Sequence, residues 1–580
     1  MSNGSPRVAD HIMSTLTVAG VSHVFGVGGA NIEDLYDAAH RTDGRIRAVV
    51  AKHEFAATCM AEGSVRARGG LGVVMATSGA GAMNLVPGVA EAYAARVPLL
   101  ALVGQPPRDL EGRGAFQDSS GRGGAFDATE LFGTISRFCA RVDDPAETDK
   151  LLAAAIDAAR SPRGGPAVLL LPKDVQQAPA AGFAPVDLLP TSASGPAPGR
   201  RAAAELLART VAAGGEILVV AGDGVGHADA RAELAALVAR LDAWVAVTPE
   251  GKDTFPNDDP RFVGVTGAIG HPSVGRRLAA AALCVLVGTR LPVMARAGLD
   301  AALATVALVA FDPEPPFVAP ADGVPLVHVD GDLRAELRAV VELLADAPPA
   351  RAVRRDPAGH REYLVTPPLD APGVRLPDAV RAIGDAVPAD ATVVSDAGNA
   401  SAAAVHHLPV PPRGRFVIAL GMGGMGHSFG AGIGAALATG RRSYVLTGDG
   451  GFYAHGMELH TAVEYDAPVT FVVFNNNAHA MCVTREQLLQ HADYSYNTFK
   501  PAYLAAGVAA MFPSLPAVRV GTADELRDAL LATNDRPGPA LVCVETDPAE
   551  TPPFVPFLRL LTESTIPPGG NRAEHVPPVG

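Results

Sequence analysis

Clustered positive charge is missing from this chain of 580 residues, and with it the first requirement of a nucleic-acid partner. Lys and Arg number 47 against 61 Asp and Glu, a net charge of −14, and the basic residues fall into scattered pairs such as Arg200–Arg201, Arg354–Arg355 and Arg441–Arg442. Phosphate backbones are held by clustered Lys and Arg, so no nucleic acid is expected and each pair reads as solvated surface. Cysteine is scarce. Cys59, Cys139, Cys284, Cys482 and Cys543 lie far apart with no C-x-x-C among them, which argues against a disulfide frame or a thiolate zinc site and suits a reducing cytosol. Long apolar runs are missing too. Each run breaks well before the ~18 residues of a membrane span, and MSNGSPRVAD lacks the apolar core of a signal peptide. A soluble cytoplasmic protein, with no membrane partner, is expected.

Short apolar runs, by contrast, recur along the whole chain between Ala-rich helical patterns. They include Gly72–Ala76, Pro98–Val103, Ala167–Leu171, Ile217–Ala221, Leu283–Val287, Val306–Phe311, Thr392–Ser395, Phe416–Leu420, Tyr444–Thr447, Val469–Phe474 and Ala540–Glu545. Such alternation marks βα units whose parallel sheets are buried on both faces. The length exceeds one hydrophobic core. Pro/Ala/Gly-rich stretches at Gln177–Gly199 and from Ala347 to about Pro372 read as linkers. The expected fold is therefore α/β, with three doubly wound parallel-sheet domains at 1–178, 200–346 and 373–550 and a Pro-rich tail at 551–580. Gly165-Pro166-Ala167-Val168-Leu169-Leu170-Leu171 near the end of the first domain echoes Gly538-Pro539-Ala540-Leu541-Val542-Cys543-Val544 near the end of the third. Two ordinary last strands, or a duplicated domain, would each produce that echo.

The densest chemistry lies between residues 415 and 480. RFVIAL runs into Gly421-Met422-Gly423-Gly424-Met425-Gly426, which satisfies G-x-G-x-x-G, and an acidic residue, Asp449, follows about twenty positions later. Taken alone this is a dinucleotide fingerprint, and a nicotinamide dehydrogenase is one reading of it. However, Asp449 sits inside Gly448-Asp449-Gly450, and the strand-like VTFVVF then leads to Asn475-Asn476-Asn477, with Asn476 27 residues after Asp449. This pairing resembles the GDG…NN motif of thiamine-diphosphate (ThDP)-dependent enzymes, in the spacing of the acetolactate synthase-like branch. The resemblance implies that Asp449 and Asn476 give side-chain oxygens, and Ala478 a carbonyl, to an Mg²⁺ whose shell the cofactor's diphosphate completes. A hard ion that takes few protein oxygens suits that set. Gly448 and Gly450 are expected to let the backbone turn and offer N–H groups to the diphosphate. By the same resemblance Met425 is the apolar wedge under a bent cofactor, and the Gly423 carbonyl accepts from its 4′-amino group. Ser395-Asp396-Ala397-Gly398-Asn399-Ala400 aligns with another diphosphate loop, assigning Gly398 and Asn399 to the cofactor; related synthases often carry Gln-His where this chain has Asn399-Ala400.

ThDP must lose its C2 proton, and a carboxylate on the aminopyrimidine ring promotes this. Lys52-His53-Glu54-Phe55-Ala56-Ala57 is similar to the family's RHEQAA stretch, and Thr77-Ser78-Gly79-Ala80-Gly81-Ala82-Met83-Asn84 to its TSGPGATN turn. The resemblance makes Glu54 the catalytic residue and puts Ser78 and Asn84 at the cofactor. It also implies sites shared across a homodimer or homotetramer. Phe116-Gln117 resembles the family's FQE, with Gln117 near the reacting carbon; an ordinary loop glutamine is the competing reading, because Ser119–Phe126 looks inserted. Asn31 is a further candidate on the substrate side.

Two departures stand where acceptors are chosen. The family's RFDDR aligns with Arg290-Leu291-Pro292-Val293-Met294, so a carboxylate-binding arginine becomes Met294, and the family's acceptor-selecting tryptophan becomes Arg485. A solvent-facing arginine is the plain alternative at 485. The expected function is decarboxylation of a 2-keto acid such as pyruvate and ligation of the resulting enamine to a carbonyl acceptor other than the usual one. A simple 2-keto-acid decarboxylase is the rival, although the adjacent His pair of some decarboxylases is absent from the first domain and His406–His407 lies in the third. FAD is possible but doubtful, since flavin-free relatives share the same central domain.

Overall fold

A computed structural model describes residues 6–180, 197–345, 347 and 361–564. Most of both Pro-rich stretches, at 181–196 and 348–360, and the end of the tail from 565 lie outside the described residues. Three six-stranded sheets carry the fold. All their pairings are parallel. Helices cover both faces, as parallel sheets require. The chain is α/β with three doubly wound sheets.

The first sheet runs, edge to edge, Arg47–Val50, His23–Gly26, Gly72–Ala76, Leu99–Gln105, Pro166–Pro172 and Phe138–Arg141. The third runs Arg415–Ile418, Thr392–Ser395, Ser443–Gly448, Val469–Asn475, Ala540–Glu545 and Ala517–Val520. Numbered within each domain, both read 2-1-3-4-6-5, and the echoing segments Pro166–Pro172 and Ala540–Glu545 hold the same place. These two domains are topological twins. The middle sheet differs. Its order, Leu326–Val329, Ala307–Phe311, Leu283–Val287, Ile217–Ala221, Trp244–Val247 and Phe262–Val265, is that of doubly wound dinucleotide-binding folds.

Open α/β sheets bind ligands beyond the carboxyl ends of their strands, where the strand order reverses. In each twin that point lies between the first and third strands. It places Val27–Asn31 beside Thr77–Gly79 in the first domain, and Asp396 beside Asp449 in the third.

The twins meet along two buried helices, Glu54–Arg68 and His427–Thr439. A side chain on Gly63, Gly430 or Gly434 would run into Ala431, Cys59 or Met60 across the seam, so glycine is what lets the backbones approach. One apolar core continues from Phe25 and Val49 through Phe429 and Ile433 to Val445 and Phe471. Inside the seam Glu62 accepts from His427 Nε2 at 2.8 Å and from Arg66 at 2.8 Å. Although burial opposes charge, His427 and Arg66 hold the Glu62 carboxyl down at about 2, and Glu62 raises the pKa of His427.

Beyond residue 550 the Pro-rich segment folds into a helix, Val555–Ser564, against the helix Ala480–Gln490. Its first N–H, from Val555, donates to the Ala268 carbonyl at 2.8 Å, while the Ala268 N–H donates to the Met294 carbonyl at 2.9 Å. The helix that carries Arg485 and the short helix Val293–Arg296 that carries Met294 are thus joined through it.

Candidate active site

In the first domain the side chains converge on one turn. Helix Ala80–Ala94 starts at Gly79, whose left-handed φ of +65 brings the Thr77–Gly79 backbone round the end of its strand. Thr77 Oγ1 accepts the Asn31 N–H at 3.3 Å and donates to Gln117 Oε1 at 3.1 Å. Asn31 Nδ2 donates to Ser78 Oγ at 2.8 Å. Gln117, itself left-handed at φ 60, packs so close to Gly79 that a side chain there would meet its Cβ at 2.8 Å. Glu54 opens its helix and is buried; its Oε2 accepts from Asn84 Nδ2 at 2.9 Å, and its Oε1 faces Gly81. Five side chains named from sequence, Asn31, Glu54, Ser78, Asn84 and Gln117, therefore line one end of the sheet. The Ser119–Phe126 stretch folds back on itself, with Ser119 Oγ donating to Gln105 Oε1 at 2.9 Å, and leaves Phe116 exposed.

The third domain builds its counterpart from backbone. Asp449 is 1 % exposed; its Oδ1 accepts the Gly450 N–H at 2.9 Å and its Oδ2 the Asn476 N–H at 3.3 Å. Burial lifts its carboxyl to about 6, against N–H donors from Asn477, Gly450, Asn476 and Ala478 that pull the other way. Asn476 Oδ1 accepts the Ala478 N–H at 3.0 Å. Gly448 and Gly450 do not take a left-handed conformation. Gly450 is small because the His479 ring lies against it, where a side chain would meet Cδ2 at 2.5 Å.

Asp396 ties the loops together. Its Oδ2 accepts from the Gly426 N–H at 2.9 Å, Ser428 Oγ at 3.0 Å and Thr447 Oγ1 at 2.8 Å, joining the three strand ends that carry glycine-rich turns. Gly398 and Gly423 adopt positive φ of +113 and +65 and face open space, so both loops leave room above them. Met425 rises from this floor 44 % exposed. Asn399 points elsewhere: its Nδ2 donates to the Glu550 carbonyl at 3.4 Å, and its buried Oδ1 has no partner among the described residues.

A known family matches this sequence domain by domain. Residues 6–123 match the thiamine pyrophosphate enzyme N-terminal TPP binding domain, 201–340 its central domain and 396–544 its C-terminal TPP binding domain. The chain belongs to the thiamine pyrophosphate enzyme family. It is similar to a probable acetolactate synthase large subunit of Methanocaldococcus jannaschii, 28% identical over 98% of this chain and 95% of that one. The acetolactate synthase large subunit of Parasynechococcus marenigrum is 29% identical over 97% and 90%, and isozyme 2 of Escherichia coli 28% identical over 94% and 97%. Within the thiamine pyrophosphate enzyme family the chain is acetolactate synthase-like, a transferase of the carboligase kind, and its cofactor is thiamine diphosphate.

Motif reading did not reach Asp396 as a hub, Thr77 as the link between Asn31 and Gln117, or His479 as the lid on Gly450. Asp396 lay inside a quoted loop, yet only the folded partners reveal its work. Met294 lines a cleft of about 520 Å³ at the middle domain's switch point, with Arg96, Asp223, Glu250, Arg290 and Gly421. Arg485 is exposed on its helix. No helix among the described residues is long and apolar enough to cross a membrane.

Proposed function

We propose that this thiamine pyrophosphate enzyme uses Mg²⁺-bound ThDP to decarboxylate a pyruvate-like 2-keto acid and to ligate the remaining fragment to a carbonyl acceptor. The carrying observation is the pairing of a buried carboxylate at Glu54 with a second, at Asp449, on equivalent ends of twin sheets. The residues fit the group. Asp449 is buried among N–H donors, so a divalent cation would balance its charge, and Asn476 and the Ala478 carbonyl add the oxygens Mg²⁺ prefers. Gly448 and Gly450 start a helix beside it, where N–H groups favour an anion such as a diphosphate. Bound there, ThDP would supply a nucleophilic C2 and a thiazolium ring that takes up the charge left by decarboxylation.

The protein's own groups do the rest. Glu54, steadied by Asn84, exchanges a proton with the cofactor's aminopyrimidine ring. Gln117, fixed by Thr77 and Gly79, offers its amide to the reacting carbonyl. Ser78 and Asn31 close the same end, and Gly423 and Met425 support the cofactor's middle. Met425 and Met422 are both exposed on the single chain, which supports a homodimer or homotetramer in which a second chain covers them.

The acceptor differs from that of amino-acid biosynthesis. Met294 replaces a guanidinium at the cleft wall and Arg485 replaces an indole, so a bulky or anionic carbonyl compound is the expected partner. Losing a bidentate carboxylate clamp should cost on the order of tenfold or more for a small keto acid. The acidic groups of the middle crevice argue against FAD. A dinucleotide's diphosphate needs bare N–H groups or free cations there. Instead Asp223 stands in the turn and, with burial, holds Glu250 up at about 7, while Arg96 is paired with Asp312 and Glu314. Purified enzyme with ThDP, Mg²⁺ and pyruvate, offered aldehydes and keto acids and read by product mass, tests the whole reading. A larger ligation product supports it. Efficient acetolactate formation from pyruvate alone removes the acceptor claim, an aldehyde without ligation makes the protein a decarboxylase, and a flavin absorbance removes the FAD claim.

A further inference from the structure

Two buried carboxylates outside every motif cross between the twin domains in opposite directions. Glu91, 2 % exposed, lies near the end of helix Ala80–Ala94. Its Oε1 accepts the Gly421 N–H at 3.1 Å and its Oε2 the Met422 N–H at 2.5 Å. Glu458, also 2 % exposed, follows helix Asp449–His455. Its Oε1 accepts the N–H groups of Lys52 at 2.9 Å and His53 at 3.0 Å, and its Oε2 accepts from Thr461 Oγ1 at 2.7 Å.

The exchange is symmetric in topology. Each carboxylate comes from the helical segment after the third strand of its own sheet. Each pair of N–H groups follows the second strand of the other sheet. What is held also matters: Lys52 and His53 immediately precede Glu54, and Gly421 and Met422 begin the stretch that ends at Met425. Adhesion between the domains does not need these groups, because the helix seam already supplies a continuous apolar core. Burying a carboxylate is costly unless its oxygens are satisfied, and charge-assisted bonds to two successive N–H groups fix position and direction as apolar contact cannot. Tyr465 adds to the third domain's grip, its hydroxyl accepting the Val50 N–H at 2.8 Å.

We propose that Glu91 and Glu458 are reciprocal positioning residues, each lent by one twin domain to fix the backbone from which the other presents its part of the active site. The inference rests on the reading of Glu54 as activator and of Gly423–Met425 as cofactor floor. It makes the two carboxylates separable in function: Glu458 acts on the activating proton transfer, Glu91 on cofactor seating.

The test uses full-length protein and two readouts. In cofactor-free protein, Glu458→Ala should speed amide hydrogen exchange at Lys52 and His53 by at least about tenfold and leave Gly421 and Met422 alone; Glu91→Ala should do the reverse. With Mg²⁺–ThDP bound, Glu458→Ala should slow C2 hydrogen–deuterium exchange by about 10²-fold, the cost of a misplacement near 1 Å. Its cofactor Kd should stay within about threefold, whereas Glu91→Ala should raise Kd about tenfold and spare C2 exchange at saturation. Glu458→Gln, which keeps an acceptor oxygen, should recover most of the loss; Glu458→Asp, one methylene short, should not. Should the alanine variants fail to fold, Gln and Asp decide alone. Parallel losses of affinity and C2 exchange that track stability, or Gln and Asp variants that behave alike, overturn the proposal. Wild-type protein that binds no Mg²⁺–ThDP overturns the functional reading instead, and the amide-exchange arm still decides the positioning.

Discussion

The first and third domains share one strand order and put opposite kinds of chemistry at the same places. After the second strand the first domain presents Glu54, the carboxylate proposed for proton transfer, where the third presents the glycine-rich stretch from Gly421 to Gly426. After the third strand the first presents the hydroxyls of Thr77 and Ser78, where the third presents Asp449. The fold supplies the strand ends and the switch points; on the proposed reading, a few residues at those ends decide whether a domain handles protons or a cation. The middle domain, with a different strand order, offers a crevice lined by paired charges instead.

This division of labour can be broken most severely at Asp449. Asp449→Ala should weaken Mg²⁺-dependent ThDP binding by more than ~10²-fold in calorimetry, beyond the range seen for supporting residues around a metal. Unchanged affinity would remove the third domain's half of the comparison. Next comes Glu54→Gln, which keeps the shape and an oxygen for Asn84. C2 exchange should slow by at least ~10²-fold while cofactor affinity holds. If both variants lost binding alike, the two domains would not divide the work.

A smaller effect probes the seam. Gly434→Val would push a side chain to within 2.6 Å of the Met60 carbonyl carbon and should cost about 1–3 kcal/mol, read from denaturant midpoints. In contrast, Gly507→Ala in helix Leu504–Met511 meets nothing within 4 Å among the described residues and should be neutral or slightly stabilising.

The smallest effect separates two interfaces by pH. His406 is buried between the third and middle domains; its Nε2 accepts the Leu364 N–H at 2.9 Å, and its Nδ1 is 3.1 Å from the Ile269 carbonyl. Burial, with His407 and Lys252 nearby, lowers its pKa from 6.5 to about 3, and the ring of His271 stacks on it with Tyr363 edge-on. A depressed value means that the unfolded chain takes the proton first. Stability at this interface is therefore lost as pH falls from about 6.5 towards 3. In the seam, Glu62 titrates at about 2 against 4.5 in the open chain, so its contribution is complete above 4.5 and fades only below. His427 is raised above 6.5, and its contribution is complete below that value and lost as pH rises through the raised one. Between pH 6.5 and 4.5, amide protection factors, which remove the intrinsic slowing of exchange at lower pH, should thus fall around His271, Leu364 and His406 before they fall along Glu54–Arg68. The reverse order would show that the seam is the weaker joint.

What the sequence determined by itself was the centre of each sheet and the motif-bearing strand ends. Strands buried on both faces are apolar at nearly every position, so Gly72–Ala76, Leu283–Val287 and Val469–Phe474 announce themselves as runs. Edge strands such as Arg47–Val50, Phe138–Arg141, Leu326–Val329 and Ala517–Val520 are only partly covered and carry no such run. Asp449 and Asn476 stood out through their glycine and amide neighbours at a set spacing, and Glu54 through the resemblance of Lys52–Ala57 to a family stretch. Glu91 and Glu458 did not. Each is a single glutamate on a helix, and its meaning comes from N–H groups 330 and 406 residues away. The helix Val555–Ser564 was hidden too, since composition marked only a Pro-rich tail and its place is set by Ala268 and the Ala480–Gln490 helix. Local pattern reports which faces are dry and which turns are tight; only the tertiary structure decides which distant backbone a buried carboxylate must satisfy, because that cost is settled by whatever the fold brings alongside.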